Sequence, residues 1–330
     1  MGPLVIVANV GANDAFYNSA RIRKENRLYF DFSVRTMIAF VEEDERTFVA
    51  RLPLEQQPNP YPLLSPEWFR IFQLNYFKSV LQGAASLGKL DTTVRTATVF
   101  GGAGSGFKIP KDYLAEHVPG IDSLTLARLP SELTLTNGTN QNIAIALVPQ
   151  LTIGALYNTE LLVRYIPPVV LDVNIGKFSF FGVAVSHAFT NWLQDEPFHA
   201  AVQIGFQHST IRNEVGLTKA KLEANTDLFA VNLHASRKWD WIEPYIGVSF
   251  ERLNSDGSYT FTLPQDVKDQ IGYDISPQRV PVTLSDNAFK GTVGVTAWYQ
   301  SFYAFASTGI AKHLIFSAGA GYSFDILRTQ

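Results

Sequence analysis

No cysteine occurs among the 330 residues, so the histidines carry most of the scope for metal or acid–base chemistry. Without a thiol there is no disulfide framework, thiolate nucleophile or Cys-based metal site. His117, His187, His199, His208, His234 and His313 show no pair at metal-ligand spacing, and no carboxylate recurs beside them. Ser186 and His187 are adjacent, so in a strand they face opposite ways and cannot form a dyad. Gly101 to Lys108 (GGAGSGFK) is as glycine-rich as a phosphate loop but lacks the Gly-Lys-Ser/Thr ending. Lys108 runs into Ile109 and Pro110 rather than into a helix, so the stretch reads as a flexible loop. Ser105 is not in a Gly-x-Ser-x-Gly elbow. A hydrolase assembled from scattered strands would leave no local motif and is the least favoured reading. The expectation is a protein that is not an enzyme and takes no metal or cofactor.

The polar residues that remain fall into another pattern. Phe198, Ala200, Val202, Ile204 and Phe206 alternate with His199, Gln203 and Gln207. Phe229, Val231, Leu233 and Ala235 alternate with Asn232, His234, Ser236 and Lys238. Ile246, Val248 and Phe250 alternate with Tyr245, Ser249 and Glu251. Leu28, Phe30, Phe32, Val34, Ile38 and Phe40 share one face of a strand, and Asp31, Ser33 and Arg35 the other. Val293, Val295 and Ala297 alternate with Thr292, Gly294 and Thr296, and Leu161, Val163 and Tyr165 with Glu160 and Arg164. A period of two places one set outside and the other inside a wet lumen. Glu160, Arg164, His199, Gln203, Gln207, His234 and Glu251 are therefore candidate lumen residues. Glu160 and Arg164 share a face about 13 Å apart along the strand, so each is expected to pair with a neighbouring strand. They make either a structural network or a constriction that selects solutes.

A soluble sandwich alternates in the same way, and segment length separates the two. Several segments run about 10–13 residues, enough to span the hydrocarbon layer at a tilt near 45°. Segments fall near 28–41, 46–53, 94–100, 132–137, 142–152, 159–167, 177–189, 198–211, 227–239, 243–254, 287–299, 301–311 and 313–324. Bacterial barrels close with an even number, so 12 or 14 strands are expected. The chain has 24 Phe, 13 Tyr and 5 Trp. Aromatics gather at segment ends as interfacial girdles do: Trp192, Trp239, Trp241, Tyr259, Phe261, Trp298, Tyr299, Phe302 and Tyr303. Charged residues are only 17%, and the net charge of -3 gives no electrostatic reason to expect nucleic acid. No apolar run reaches the roughly 18–20 residues of a membrane helix. Leu4 to Ala8 is too short for the apolar core of a signal peptide, so the expectation is that this sequence carries no export signal.

Three stretches are distinct. Ser65, Pro66 and Glu67 read as a cap, a proline at N1 and an acidic first turn. Phe69, Phe72, Tyr76 and Val80 follow at helical spacing, so an amphipathic helix is expected over 66–82, ended by Gly83. It plugs the lumen, lies against the membrane surface, or covers a barrel end. Residues 101–130 read as a long loop or partial plug with a short helix at 110–117, and residues 1–25 as an N-terminal segment. Ser317, Gly319, Tyr322 and Phe324 stand at the spacing of the assembly signal that outer-membrane barrels present in their last strand. Six residues follow Phe324, where that signal ordinarily ends.

The chain resembles an uncharacterised family of Gram-negative outer-membrane β-barrel proteins. The likeness begins near Phe16 to Ala20 and Thr98 to Gly101. It is strongest over Val148 to Gly154, Thr159 to Pro167, Gly182 to His187 and Leu233 to Lys238. Gly291 to Thr296 and Gly321 to Phe324 complete it. A more distant likeness is to the fatty-acid transporter barrels, which have 14 strands and an N-terminal hatch. The resemblance implies fold and location, not activity. The expectation is one all-β chain, residues 1–330, folded as a single antiparallel transmembrane barrel integral to the outer membrane. Its expected partners are outer-membrane lipid, the barrel assembly machinery and a small or hydrophobic solute that it conducts. The alternative is a structural barrel anchoring an envelope complex.

Overall fold

The computed structural model describes residues 13–23, 28–135, 137–172, 176–190, 197–215, 220–261 and 278–325. Ten strands close into one antiparallel barrel: β1 (Tyr29–Phe40), β6 (Ile143–Leu156), β7 (Thr159–Asp172), β8 (Gly176–Ala188), β9 (His199–Val215), β10 (Ala220–Ser236), β11 (Ile242–Phe261), β12 (Gln278–Tyr299), β13 (Phe302–Ile310) and β14 (Leu314–Asp325). Every neighbour follows in sequence except at two seams, where β1 pairs with β14 and with β6. Closure pairs each strand on both sides over the shared part of the wall, while β12 before Gly291 pairs with β11 alone.

Alternation fixes the two faces. On β10, Phe229 and Leu233 are exposed, while Ala230, Asn232, His234 and Ser236 are buried. On β1 the outward Phe32, Val34 and Phe40 are exposed and the inward Ser33, Arg35, Met37 and Ala39 are buried. The outward band ends abruptly. Phe206 pairs with Phe229 and Val231 with Ile204, but the next outward pairs are His208 with Asp227 and Thr210 with Asn225. His208 Nδ1 lies 2.7 Å from Asp227 Oδ1, and Thr210 donates to Asn225 Oδ1 at 2.9 Å. Beyond this level β9–β12 continue as ribbons that are polar outside, which is why the alternating-apolar pattern stopped short of their ends.

The opposite end is closed by tight turns. Tyr157 and Asn158 both have positive φ and join β6 to β7, and Gln300 sits likewise between β12 and β13. Trp239, Trp241, Tyr299, Phe302, Tyr322 and Phe324 are exposed around that end, an interfacial girdle. Of the other girdle residues expected, Tyr303 points inward and is buried, and Trp192 lies outside the described residues.

The barrel has ten strands rather than 12 or 14. The expected strands near 46–53, 94–100 and 132–137 exist, but they pair elsewhere. β2 (Thr47–Arg51) pairs with β3 (Thr93–Ala97), and β4 (Gly106–Lys108) with β5 (Glu132–Thr134). These sheets belong to a second compact unit formed by Glu43–Gln141, inserted between β1 and β6. Its helix α1 (Pro66–Ser86) starts as expected, with Ser65 Oγ accepting from the Trp68 amide at 3.1 Å. It runs through Gly83, whose missing side chain leaves room for the Tyr113 hydroxyl, and ends before Gly88 at φ 69°. Val80 and Ala84 pack on Leu90, Tyr113 and Leu114, while Phe69, Phe72 and Tyr76 are exposed. Residues 101–130 include two short helices, α2 (Lys111–His117) and α3 (Ser123–Arg128).

Candidate functional site

The barrel interior is occupied by the chain itself. Asn13 to Asn18, Ala20 and Ile22 are buried, and their contacts reach strands all around the wall. Arg35 on β1 donates through Nη1 to the Ala15 carbonyl and through Nη2 to Asn18 Oδ1 at 2.9 Å. Arg164 on β7 donates to the Ala15 carbonyl at 2.5 Å, to the Asp14 carbonyl at 3.1 Å and to Gln150 Oε1 at 2.8 Å. Its guanidinium lies 3.8 Å from the centre of the Phe16 ring. The two cations converge on one neutral oxygen, so they stand on the order of 5 Å apart. At an effective dielectric near 20 that repulsion is roughly 3 kcal/mol, which the surrounding acceptors must offset.

Asp14 is the segment's own charge at this depth. Its carboxylate accepts from Ser317 and lies 3.3 Å from Lys290 Nζ, which also pairs with Glu251 at 2.5 Å. Above Phe16 in sequence, Tyr17 stacks on His234 at 4.0 Å with an interplanar angle of 7°, and meets Tyr245 edge-on. A side chain at Gly247 would collide with the Tyr17 hydroxyl, so the docked position of Tyr17 requires glycine there. Thr296 donates to the Asn18 carbonyl at 2.5 Å, and the Ala20 amide to Ser236 Oγ at 2.9 Å.

Towards the short-turn end the charges reverse. Glu243 of β11 accepts from Ser19, from Ser236 at 2.7 Å and from Trp298 Nε1 at 2.8 Å, with Arg21 3.9 Å away. Arg23 pairs with Asp325 and lies over the Tyr29 ring. In the turn after β10, Lys238 lies over the Trp298 ring, and its ammonium is pushed below the usual lysine range, first by partial burial and then by Arg21. A cavity of about 80 Å³ remains here, lined by Arg21, Arg23, Tyr29, Asp31, Glu160 and Trp298 among others. That is room for a few waters and not for a passing solute.

The expected lumen residues all sit on inward-facing strand positions, but they do different things. Gln203 donates to Ser186 at 2.8 Å and accepts from Asn232 at 2.7 Å, a belt within the wall. Gln207 is buried and His199 is half-buried on the same face of β9. Arg164, His234 and Glu251 serve the segment directly or through Lys290, and Glu160 lines the cavity. Ser317 of the last strand serves Asp14, and Gly319 lets the Phe305 ring in, whereas Tyr322 and Phe324 point outward against Phe302 and Phe30. The sequence reading missed Asp14, Tyr17, Arg35, Glu243 and Lys290 as site residues. Lys290 and Arg35 carried a signal, being charges on the polar face of alternating strands; Tyr17 carried only its place in the stretch of family likeness, and Asp14 carried none.

Fold and interior together define a transmembrane-type β-barrel whose lumen is filled by the segment preceding its first strand. The chain belongs to the family of unknown function DUF6588, whose profile matches residues 1–324. No curated protein matches it in sequence. Among solved structures it is similar to the outer membrane protease OmpT from Escherichia coli, at 8% identity over 91% of this chain and 97% of that one, with a TM-score of 0.41. A Pseudomonas aeruginosa FadL homologue is similar at 9% identity over 93% of each chain, with a TM-score of 0.29. The N-terminal β-barrel domain of Pseudomonas aeruginosa OprF is similar at 13% identity over 51% of this chain and 98% of that one, with a TM-score of 0.23.

Proposed function

We propose that this protein is an outer-membrane conduit for small solutes, closed at rest by its own N-terminal segment. The observation that carries the reading is the occupancy of the lumen by residues 13–22. That segment is held by hydrogen bonds and ion pairs, which water or a solute can replace, around a stacked Tyr17. Barrels near this strand number can be filled by wall side chains alone. Here the wall instead carries Gly205, Gly247 and Gly309 opposite Phe16, Tyr17 and Asp14, leaving space for a separate filler. The polar lining favours small polar solutes over hydrophobic ones. The outward band would face outer-membrane lipid, and the last strand, with Tyr322 and Phe324 outside, would be read by the barrel assembly machinery.

The alternative is a sealed structural barrel that anchors an envelope complex, which the thorough burial of the segment favours. Planar-bilayer conductance separates the two. The conduit reading expects a silent wild-type protein and discrete steps from a full-length D14A/Y17A variant that still shows a heat-modifiable band. A folded variant without steps overturns the conduit in favour of the anchor.

A further inference from the structure

The deepest contacts of the segment come from two arginines 129 positions apart in sequence. Arg35 and Arg164 are 1% and 0% exposed, and both donate to the Ala15 carbonyl. Their further acceptors described above, the Asp14 carbonyl, Asn18 Oδ1 and Gln150 Oε1, are uncharged oxygens. A guanidinium fork binds a carboxylate through two parallel bonds with a full opposite charge behind them, which a neutral carbonyl or amide oxygen does not carry. Lys290 stands beside the same stretch of the segment, shared between Asp14 and Glu251. Among the described residues, the wall at this depth presents Arg35, Arg164 and Lys290 against Glu251, and the segment answers with the Asp14 carboxylate and the Asp14 and Ala15 carbonyls. Nearer the short turns, wall carboxylates at Asp31, Glu160 and Glu243 face Arg21 and Arg23. The segment matches the lumen level by level, as a resident ligand would.

We propose that Arg35 and Arg164 form a binding site for small organic carboxylates in the lumen, held at rest by the Ala15 carbonyl in the place of a carboxylate oxygen. The proposal rests on the reading of the lumen as a gated path. A carboxylate adds at this site the opposite charge and the second oxygen that the Ala15 carbonyl lacks, so it competes with the segment for both arginines. Lys290 adds attraction without sharing the fork geometry.

The test uses full-length D14A/Y17A protein in detergent micelles, titrated calorimetrically with succinate, beside bilayer recordings with succinate added to the bath. The expected result is saturable binding, with R35Q and R164Q each weakening it at least about tenfold, and R35K and R164K weakening it less because the charge stays. Current steps, where present, are blocked over the same succinate range. Binding that is absent, or unchanged by R35Q and R164Q, overturns the site. Binding without any current steps supports the site while the conduit reading fails. Should D14A/Y17A not fold, Y17A alone takes its place in the same titration.

Discussion

Replacing Tyr17 with alanine isolates what holds the segment in the lumen. The Tyr17 ring is 7% exposed, stacked on His234 at 4.0 Å and edge-on to Tyr245 at 6.1 Å. Aromatic side chains bury about 150–250 Å². With some 130 Å² of that apolar, at roughly 25 cal/mol/Å², burial contributes about 3 kcal/mol. The stacked and edge-on contacts add about 0.5–1.5 kcal/mol. Water entering the vacated, polar-lined space returns part of this, so a net loss of about 2–3 kcal/mol is expected. That is an increase of roughly 30- to 150-fold in the undocked segment. Hydrogen exchange in refolded protein reads it directly. The Ala20 amide, bonded to Ser236 Oγ, should lose protection by that factor, while amides of β10 and β11 keep theirs. Gly247→Ala supplies a double-mutant control: it should loosen the segment in wild-type protein and do little in Y17A, because the two changes act on one contact. Unchanged Ala20 protection in a folded Y17A barrel would refute the reasoning.

Other outcomes follow from the same geometry. Lys290→Met leaves Asp14 and Glu251 facing one another without their shared cation, and should cost about 3–5 kcal/mol in urea unfolding from lipid; D14N in that background should recover part of it. Val231→Arg, outward in the apolar band, should cost about 2–4 kcal/mol in the same assay, whereas Asn225→Arg, outward past the His208–Asp227 pair, should cost less than about 1 kcal/mol. Equal costs would place the band's edge elsewhere. Ser65→Ala removes the cap of α1 and should destabilise the 43–141 unit by about 1 kcal/mol, seen as faster proteolysis within Pro66–Ser86 with the barrel band unaltered.

The inward and outward sets on each membrane strand were legible from sequence because a period of two is a local property. Asn232 and His234 had to face away from Val231 and Leu233 whatever β10 paired with. The N-terminus of α1 was legible for the same reason: a serine cap and a proline at N1 act within one turn. Membership in the wall was a different matter. Phe48 and Val49 look as strand-like as Val293 and Val295, yet β2 finds β3 and never joins the barrel. Pairing is decided by long-range closure, in which β1 must meet both β6 and β14, and no local pattern encodes that choice. The same holds for the site. Arg164 announced a polar lumen, but not that Arg35 would share its oxygen, nor that the oxygen would be a backbone carbonyl. Asp14 and Tyr17 lie outside any periodic segment, and their roles exist only because a closed wall brings Lys290, Ser317 and His234 around them. Local pattern was enough for a two-faced, polar-lined barrel wall; the number of strands and the filling of the lumen were settled by closure, because they depend on contacts between residues hundreds of positions apart.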